Sequence, residues 1–182
     1  CNAPILTVTA PTMSSPIEAL FTTALGLQPP WYVAKVELDT AKRRIDFEVE
    51  HTGKRVPCPA CGAVHQPVHD RVRRSWRHLD FFQFEAWLHA DIPRVQCSGC
   101  GKTAQLPVPW AREGSGFTLL FEALGLSLCR ELPVTQAANQ MRVAPKRLWR
   151  RVRHYVEVAR AKDALSGVRH VRIYKKSVKR GN

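Results

Sequence analysis

Cys58-Pro59-Ala60-Cys61-Gly62 and Cys97-Ser98-Gly99-Cys100-Gly101 are two copies of one pattern, C-x-x-C-G, with 35 residues between Cys61 and Cys97. Thiols two residues apart on a tight turn point at a common centre. A glycine just past the second lets the backbone curl so that its amides face the sulfurs. Two such turns supply four soft ligands in a tetrahedron, the arrangement of a closed structural zinc site. Cys58, Cys61, Cys97 and Cys100 are the expected ligands and zinc the expected ion. A redox dithiol would be a single C-x-x-C near a strand-to-helix junction, whereas this motif is doubled. Disulfides call for an oxidising compartment, and the opening CNAPILTVTAPT has none of the Lys or Arg of a secretory leader. The cytoplasm is the compartment this implies. His51, His65, His69, His78 and His89 surround the knuckles, but four cysteines fill the shell, so structural or solvated roles are expected for them.

Outward from the knuckles the pattern reads as strands. Residues 72–79, 82–90 and 92–96 are short β-type runs that would carry the chain away from the metal and back. Upstream, Trp31 to Leu38 is rich in β-formers, and Ile45, Phe47 and Val49 alternate with acids, which predicts a hairpin turning at Asp39 to Lys42. Ser15-Pro16-Ile17-Glu18 reads as a capping box opening a helix, with Ile17, Leu20, Phe21 and Ala24 on one face and Gly26 at its end. Residues 1–14 read as a disordered extension, with Met13 the more natural start. Arg71, Arg73, Arg74 and Arg77 crowd around Trp76. They are either an exposed strand face or a phosphate-contacting patch, with Arg74 and Arg77 the candidate contacts.

Downstream, 106–116 (LPVPWAREGSG) is dense in breakers and reads as a linker between domains. Phe117, Leu120, Phe121, Leu124 and Leu128 form a helical stripe ending at Pro133, and Cys129 belongs to its core. In PVTQAANQMRVAPKRLWRRVRHY, residues 133–155, Thr135 can cap a short helix, Arg142-Val143-Ala144 turns, and Pro145 opens a longer helix. Leu148, Val152, Tyr155, Val156 and Ala159 share one face of it, and Lys146, Arg147, Arg150, Arg151 and His154 gather on the other. This is the layout of a helix-turn-helix, with long cations turned outward toward a major groove.

The charge supports that reading. Of 28 Lys/Arg, 14 lie from Arg142 onward against only Glu157 and Asp163, a net of +12, while the first 141 residues hold 14 basic and 13 acidic groups, a net of +1. Such segregation points to a polyanion, with double-stranded DNA the expected partner. With 45% apolar residues the 182-residue chain can bury a core, and no run of 18 apolar residues offers a membrane span.

The two knuckles, Trp76 to Asp80, Pro93 to Cys97, the connector from Pro109 to Gly114, and Ala137 through Tyr155 together resemble the front half of ISL3-type insertion-sequence transposases. The resemblance implies that this part binds the terminal inverted repeats of the element. In the family an RNase H-like domain with metal-holding acids then cuts and joins the DNA. Residues 168–181, VRHVRIYKKSVKRG, are similar to the family's first catalytic strand, but Tyr174 stands at its aspartate and Lys175 at its glutamate. Neither side chain can hold the ions of a two-metal site, so the chain itself is expected to be catalytically inactive.

The expected fold is α+β: a small β-rich, zinc-ribbon-like domain over 15–105, a linker over 106–116, an all-α helix-turn-helix domain over 117–165, and a basic tail over 166–182 resembling a degenerate start of a catalytic domain. The expected function is that of the DNA-binding part of a transposase, zinc-stabilised and without its catalytic domain, with homodimerisation left open. The alternative is a transcriptional regulator built from the same parts.

Overall fold

The structure is a computed structural model that describes residues 15–162. The expected extension over 1–14 and the basic tail over 166–182, Tyr174 included, lie outside the described residues. The described residues fall into two compact units that divide after Leu124.

The first unit opens with α1 (Pro16–Ala24), whose N-cap Ser15 accepts a hydrogen bond from the Ile17 amide. A hydrogen bond with Ser15 also holds the Glu18 carboxyl below its ordinary range, so the capping box forms as read. The buried face differs from the expected one. The Val33 amide donates to Thr22 Oγ1 at 2.9 Å, and Phe21 and Leu25 pack on the core. Ile17 and Leu20 are left 55% and 64% exposed. A two-turn helix lying on a strand buries one narrow row, and that hydrogen bond decides which row faces in.

Strands β1 (Trp31–Asp39) and β2 (Arg44–His51) form the predicted antiparallel hairpin, with Asp39 accepting from the Lys42 amide in the turn. Then come β3 (Arg55–Val56), β4 (Gln66–Arg77), β5 (Glu85–Gln96) and β6 (Thr103–Gln105). The sheet order is β1-β2-β5-β4-β3, with β6 paired to β5. Three short strands were expected between the knuckles, and the structure has two long ones. β5 runs through Pro93, which lacks a donor but whose carbonyl accepts from the Leu106 amide. β2 and β5 pair in parallel, from Arg44↔Glu85 to Val49↔Ala90, a contact that no hairpin pattern announces.

One face of the sheet is the core. Ile45, Phe47 and Val49 of β2 meet Ala86, Leu88, Ala90 and Ile92 of β5, as the alternation of apolar residues requires. Trp110 seats its ring against Trp31 and Trp76, with centroids 4.9 and 5.5 Å away and nearly perpendicular planes. The stretch 106–116, expected as a linker, is therefore part of the first unit: Leu106, Trp110 and Ala111 are buried in its core. Prolines and glycines dictate irregular backbone there, but they do not dictate exposure. Arg112 and Ser115 donate at 3.0 and 2.6 Å to the fully buried carboxylate of Glu122, and the break between units falls after Leu124.

Helix α2 (Leu119–Glu131) contributes to both units. Phe117 and Phe121 are buried as expected, but Leu120 and Leu124 are 57% and 39% exposed, and Glu122 takes a buried place on the helix instead. The rest of the second unit's described elements are α3 (Val134–Gln140) and α4 (Pro145–Lys162). The N-cap of α3 is Pro133 with no side-chain cap, so Thr135, the expected cap, lies inside the helix.

Candidate metal centre and nucleic-acid interface

Each knuckle is the loop of a hairpin, the first joining β3 to β4 and the second joining β5 to β6. β4 leaves the first knuckle and β5 returns antiparallel to reach the second, with Val68 opposite Val95. The 35 residues between Cys61 and Cys97 are thus an out-and-back ribbon whose free ends are the two cysteine turns. The turns are built alike. Cys58 N donates to Ala63 O and Gly62 N to Cys58 O, both at 2.8 Å, while Cys97 N donates to Lys102 O at 3.0 Å and Gly101 N to Cys97 O at 2.8 Å. Gly62 and Gly101 have φ of 75° and 68°, the left-handed conformation that glycine adopts without steric cost. Gln66 fastens one knuckle to the other: its Oε1 accepts from Ser98 N and Oγ at 3.0 and 3.1 Å, and its Nε2 donates to Val64 O. No motif in the sequence singles out this glutamine.

The sulfurs of Cys58, Cys61, Cys97 and Cys100 all lie within 4.8 Å of one another. A tetrahedral ion with metal–sulfur bonds of about 2.3 Å sets sulfurs about 3.8 Å apart. Cys58 and Cys100 are separated by 3.9 Å, and Cys61 and Cys97 by 3.6 Å. A disulfide needs about 2.05 Å, so the four thiols are free and their spacing fits a tetrathiolate metal. Amides of Cys100 and Gly99 bring the Cys97 thiol down to about 7 against its burial. The Ala63 amide draws Cys61 down too, but the sulfurs of Cys97 and Cys100 push it up to about 12. Thiols this close oppose one another's ionisation, and a dication among them removes that opposition.

No histidine joins this cluster among the described residues. His51 packs edge-on to Trp31 and accepts from the Gly53 amide. His89 bridges Ser75 and Asp46, and His78 Nδ1 lies 2.9 Å from Thr118 Oγ1. Burial, and secondarily the Arg77 charge, brings His78 down to about 4.

In the second unit, Ala137 and Ala138 are fully buried and Met141 and Leu148 nearly so. A Cβ on Gly125 would lie 2.7 Å from Leu148 Cδ1 and 3.1 Å from Met141 Cε, so α2 is in close contact with α4 and with the turn after α3. That turn passes through Arg142 at φ 55°, and the Val143 amide closes it onto Ala138 O at 3.0 Å. Arg142 therefore occupies the left-handed position that glycine often fills. On α4, Lys146 and Arg150 are exposed, while Arg147, Arg151 and His154 are half-buried. Burial, then the charge of Arg150, lowers the pKa of Arg147. Of the expected apolar face only Leu148 is fully buried, and Val156 is 44% exposed.

The two arginines expected to reach DNA from the first unit separate. Arg74 is exposed on β4. Arg77 is 1% exposed and turned inward: it donates to His78 O and Ala86 O, pairs with Asp80 and Glu85, and lies over the Phe121 ring at 5.0 Å. Strand alternation puts Arg77 and its neighbour Trp76 on opposite faces: Trp76 is buried against Trp110 in the core, while the Arg77 backbone is bonded to Gly116 O and the Thr118 amide. Arg77 has no surface to offer a phosphate. Sequence reasoning also passed over Trp149 and Arg153, which are exposed on α4. Their spacing of three or four from Lys146 and Arg150 was the available signal.

Residues 54–100 match the zinc-finger of transposases IS204/IS1001/IS1096/IS1165, and residues 106–156 match the helix-turn-helix domain of transposase family ISL3. The chain carries the zinc-ribbon and helix-turn-helix region of an ISL3-type transposase. The transposases for insertion sequence element IS1557 from two Mycobacterium tuberculosis strains, CDC 1551 / Oshkosh and ATCC 25618 / H37Rv, are each 33% identical to it over 112 residues, covering 59% of this chain and 24% of theirs. The chain spans about a quarter of the length of these relatives. No solved structure matches it. The ISL3 zinc-finger match begins just before the first knuckle and ends on Cys100, and the helix-turn-helix match begins at Leu106, inside the connector that the first unit buries. No helix among the described residues is long and apolar enough to cross a membrane.

Proposed function

We infer that this chain is the end-recognition part of an ISL3-type transposase: a zinc-stabilised module that binds the terminal inverted repeats of its element through α4. The observation that carries this reading is the make-up of the helix-turn-helix itself. From Leu132 to Val156 there is no acidic residue, while Arg142, Lys146, Arg147, Arg150, Arg151 and Arg153 all fall there, on a unit held together at Gly125, Met141 and Leu148. Cations clustered this densely repel one another, and a phosphate backbone relieves that repulsion while releasing its own counterions. Lys146 and Arg150 engage the groove and its backbone, with Arg147, Arg151 and His154 on the flanks of the same helix. Arg74 is assigned to a backbone contact from the first unit.

Zinc on Cys58, Cys61, Cys97 and Cys100 supplies a cross-link and no reaction step. The chain's own residues set the rest: the glycine turns aim the amides, and Gln66 fixes one knuckle against the other. Cutting and joining of DNA are assigned to parts of the family outside the 24% of the IS1557 relatives that this chain covers.

The test is a gel shift with zinc-loaded protein on duplexes carrying the element's terminal repeats and on scrambled duplexes, across a salt series. Tighter binding to the repeats, weakening steeply with salt, supports the reading. Equal affinity for all duplexes refutes end recognition. A protected site at a promoter, with none at the repeats, assigns the chain to regulation instead. Sedimentation of the complex reports whether one copy or two occupy each repeat.

A further inference from the structure

In the N-terminal half of α4 one exposed residue stands apart from its polar neighbours. Trp149 is 54% exposed, and it stands three residues after Lys146, beside Arg150, and four before Arg153, so the four side chains form one contiguous patch on the helix surface. The chain has five tryptophans, all within the described residues. Trp31, Trp76 and Trp110 are buried, Trp87 is half-buried, and only Trp149 is exposed. Leaving an indole in water costs the burial energy of a large apolar ring. A solvated cationic face has no use for one.

Its position on the helix narrows its role. Pro145 opens α4, so Trp149 lies in the second turn, and the N-terminal turns of a recognition helix are the ones that meet base edges. At the C-terminal end of this patch the charge changes character, because Arg153 is tied to Glu157 at 2.7 Å. Lys146 and Arg150, both exposed in the N-terminal half of α4, flank the indole. Contacts from lysine or arginine to phosphates carry no sequence information. An indole has an apolar face that suits the thymine methyl in the major groove, and one N–H that donates to a base acceptor.

We propose that Trp149 is a specificity-determining residue of this helix, reading a thymine-containing step of the target by apolar contact in the major groove while Lys146 and Arg150 hold the flanking backbone. This rests on the DNA-binding reading above, and the experiment separates the two. Zinc-loaded wild-type chain is first used to enrich a duplex from a randomised pool, and that duplex and a scrambled one of equal length are the probes. Trp149→Ala is expected to lower the preference for the enriched duplex roughly tenfold, within the range of a single misread base pair. Affinity for the scrambled duplex and the salt slope should stay as in the wild type. Trp149→Phe should recover part of the preference, and the Trp149 emission should shift on binding the enriched duplex. Substitution at a half-exposed position leaves the fold in place, which a thermal melt confirms.

The proposal fails if Trp149→Ala keeps the wild-type preference. It also fails if that variant loses affinity equally for both duplexes, or if its loss is accompanied by a change in oligomeric state, which would make the indole a contact between proteins. If the wild-type chain enriches nothing and binds no duplex, the DNA-binding reading itself falls.

Discussion

Replacing Arg77 by methionine separates a structural arginine from a DNA contact. The side chain is 1% exposed and has four anchors in the first unit: the carbonyls of His78 and Ala86, an ion pair with Asp80, and a longer one, 3.5 Å from Nε, with Glu85. Methionine fills much of the same volume against Phe121 but donates nothing. Hydrogen bonds to a charged group contribute about 1.5–3 kcal/mol each, and removing one partner of a fully buried pair costs about 3–5 kcal/mol in all. Asp80 and Glu85 keep 34% and 29% of their side-chain surface in water, so they rehydrate in part and the loss is reduced. The two carbonyls do not recover their partner. The expected cost is about 2–4 kcal/mol, a large share of the stability of a small domain. Denaturant unfolding of the zinc-loaded chain reads it directly, since Trp31, Trp76 and Trp110 report on the core that Arg77 borders. Under conditions where Arg77→Met is folded, its DNA affinity should have the wild-type salt slope. A variant as stable as wild type to within about 0.5 kcal/mol, with a slope reduced by about one, would show that Arg77 faces DNA and that its buried placement is mistaken.

Three other outcomes follow from the same geometry. Lys146→Ala with Arg150→Ala should leave the melting curve unchanged and lower the salt dependence of DNA binding by about 0.9 per lost phosphate contact; fluorescence anisotropy over a salt series measures it, and an unaltered slope would place the interface elsewhere. Cys97→Ser should bring bound zinc below one equivalent and speed amide exchange at the ends of β3 to β6, while amides of α3 and α4 stay protected. Full zinc retention in that variant would remove Cys97 from the ligand set. His78 is held neutral by burial, its pKa brought from 6.5 to about 4. The unfolded chain therefore binds the extra proton first, and this contribution, roughly 2–3 kcal/mol, is complete above pH 6.5 and fades as the pH falls toward 4. His78→Gln should flatten the stability profile across that window, and an unchanged profile would show that the imidazole charges freely in the fold.

What could be read from the residues alone was whatever depends on local spacing. C-x-x-C-G written twice implies two glycine-closed turns and four convergent sulfurs, because a knuckle's geometry is contained in six consecutive residues. Ser15 to Glu18 specifies its own cap, the β1–β2 hairpin follows from alternation and a turn, and the helix-turn-helix follows from small residues at Ala137 and Ala138 beside a strongly cationic helix. What covers each face was decided by the tertiary structure, since periodicity tells which side chains point together and not what they meet. Leu120 and Leu124 keep helical spacing yet stay exposed. Trp110 lies among breakers yet completes a core, since irregular backbone can still carry a ring into a gap left by Trp31 and Trp76. Arg77 lies three residues from the exposed Arg74 yet is buried, because the fold brings Phe121, Ala86 O and Asp80 onto its side chain. Pairing of β2 with β5 and closure of the connector bring together residues dozens of positions apart, and such contacts arise from the packing of whole elements, which no short stretch of sequence encodes.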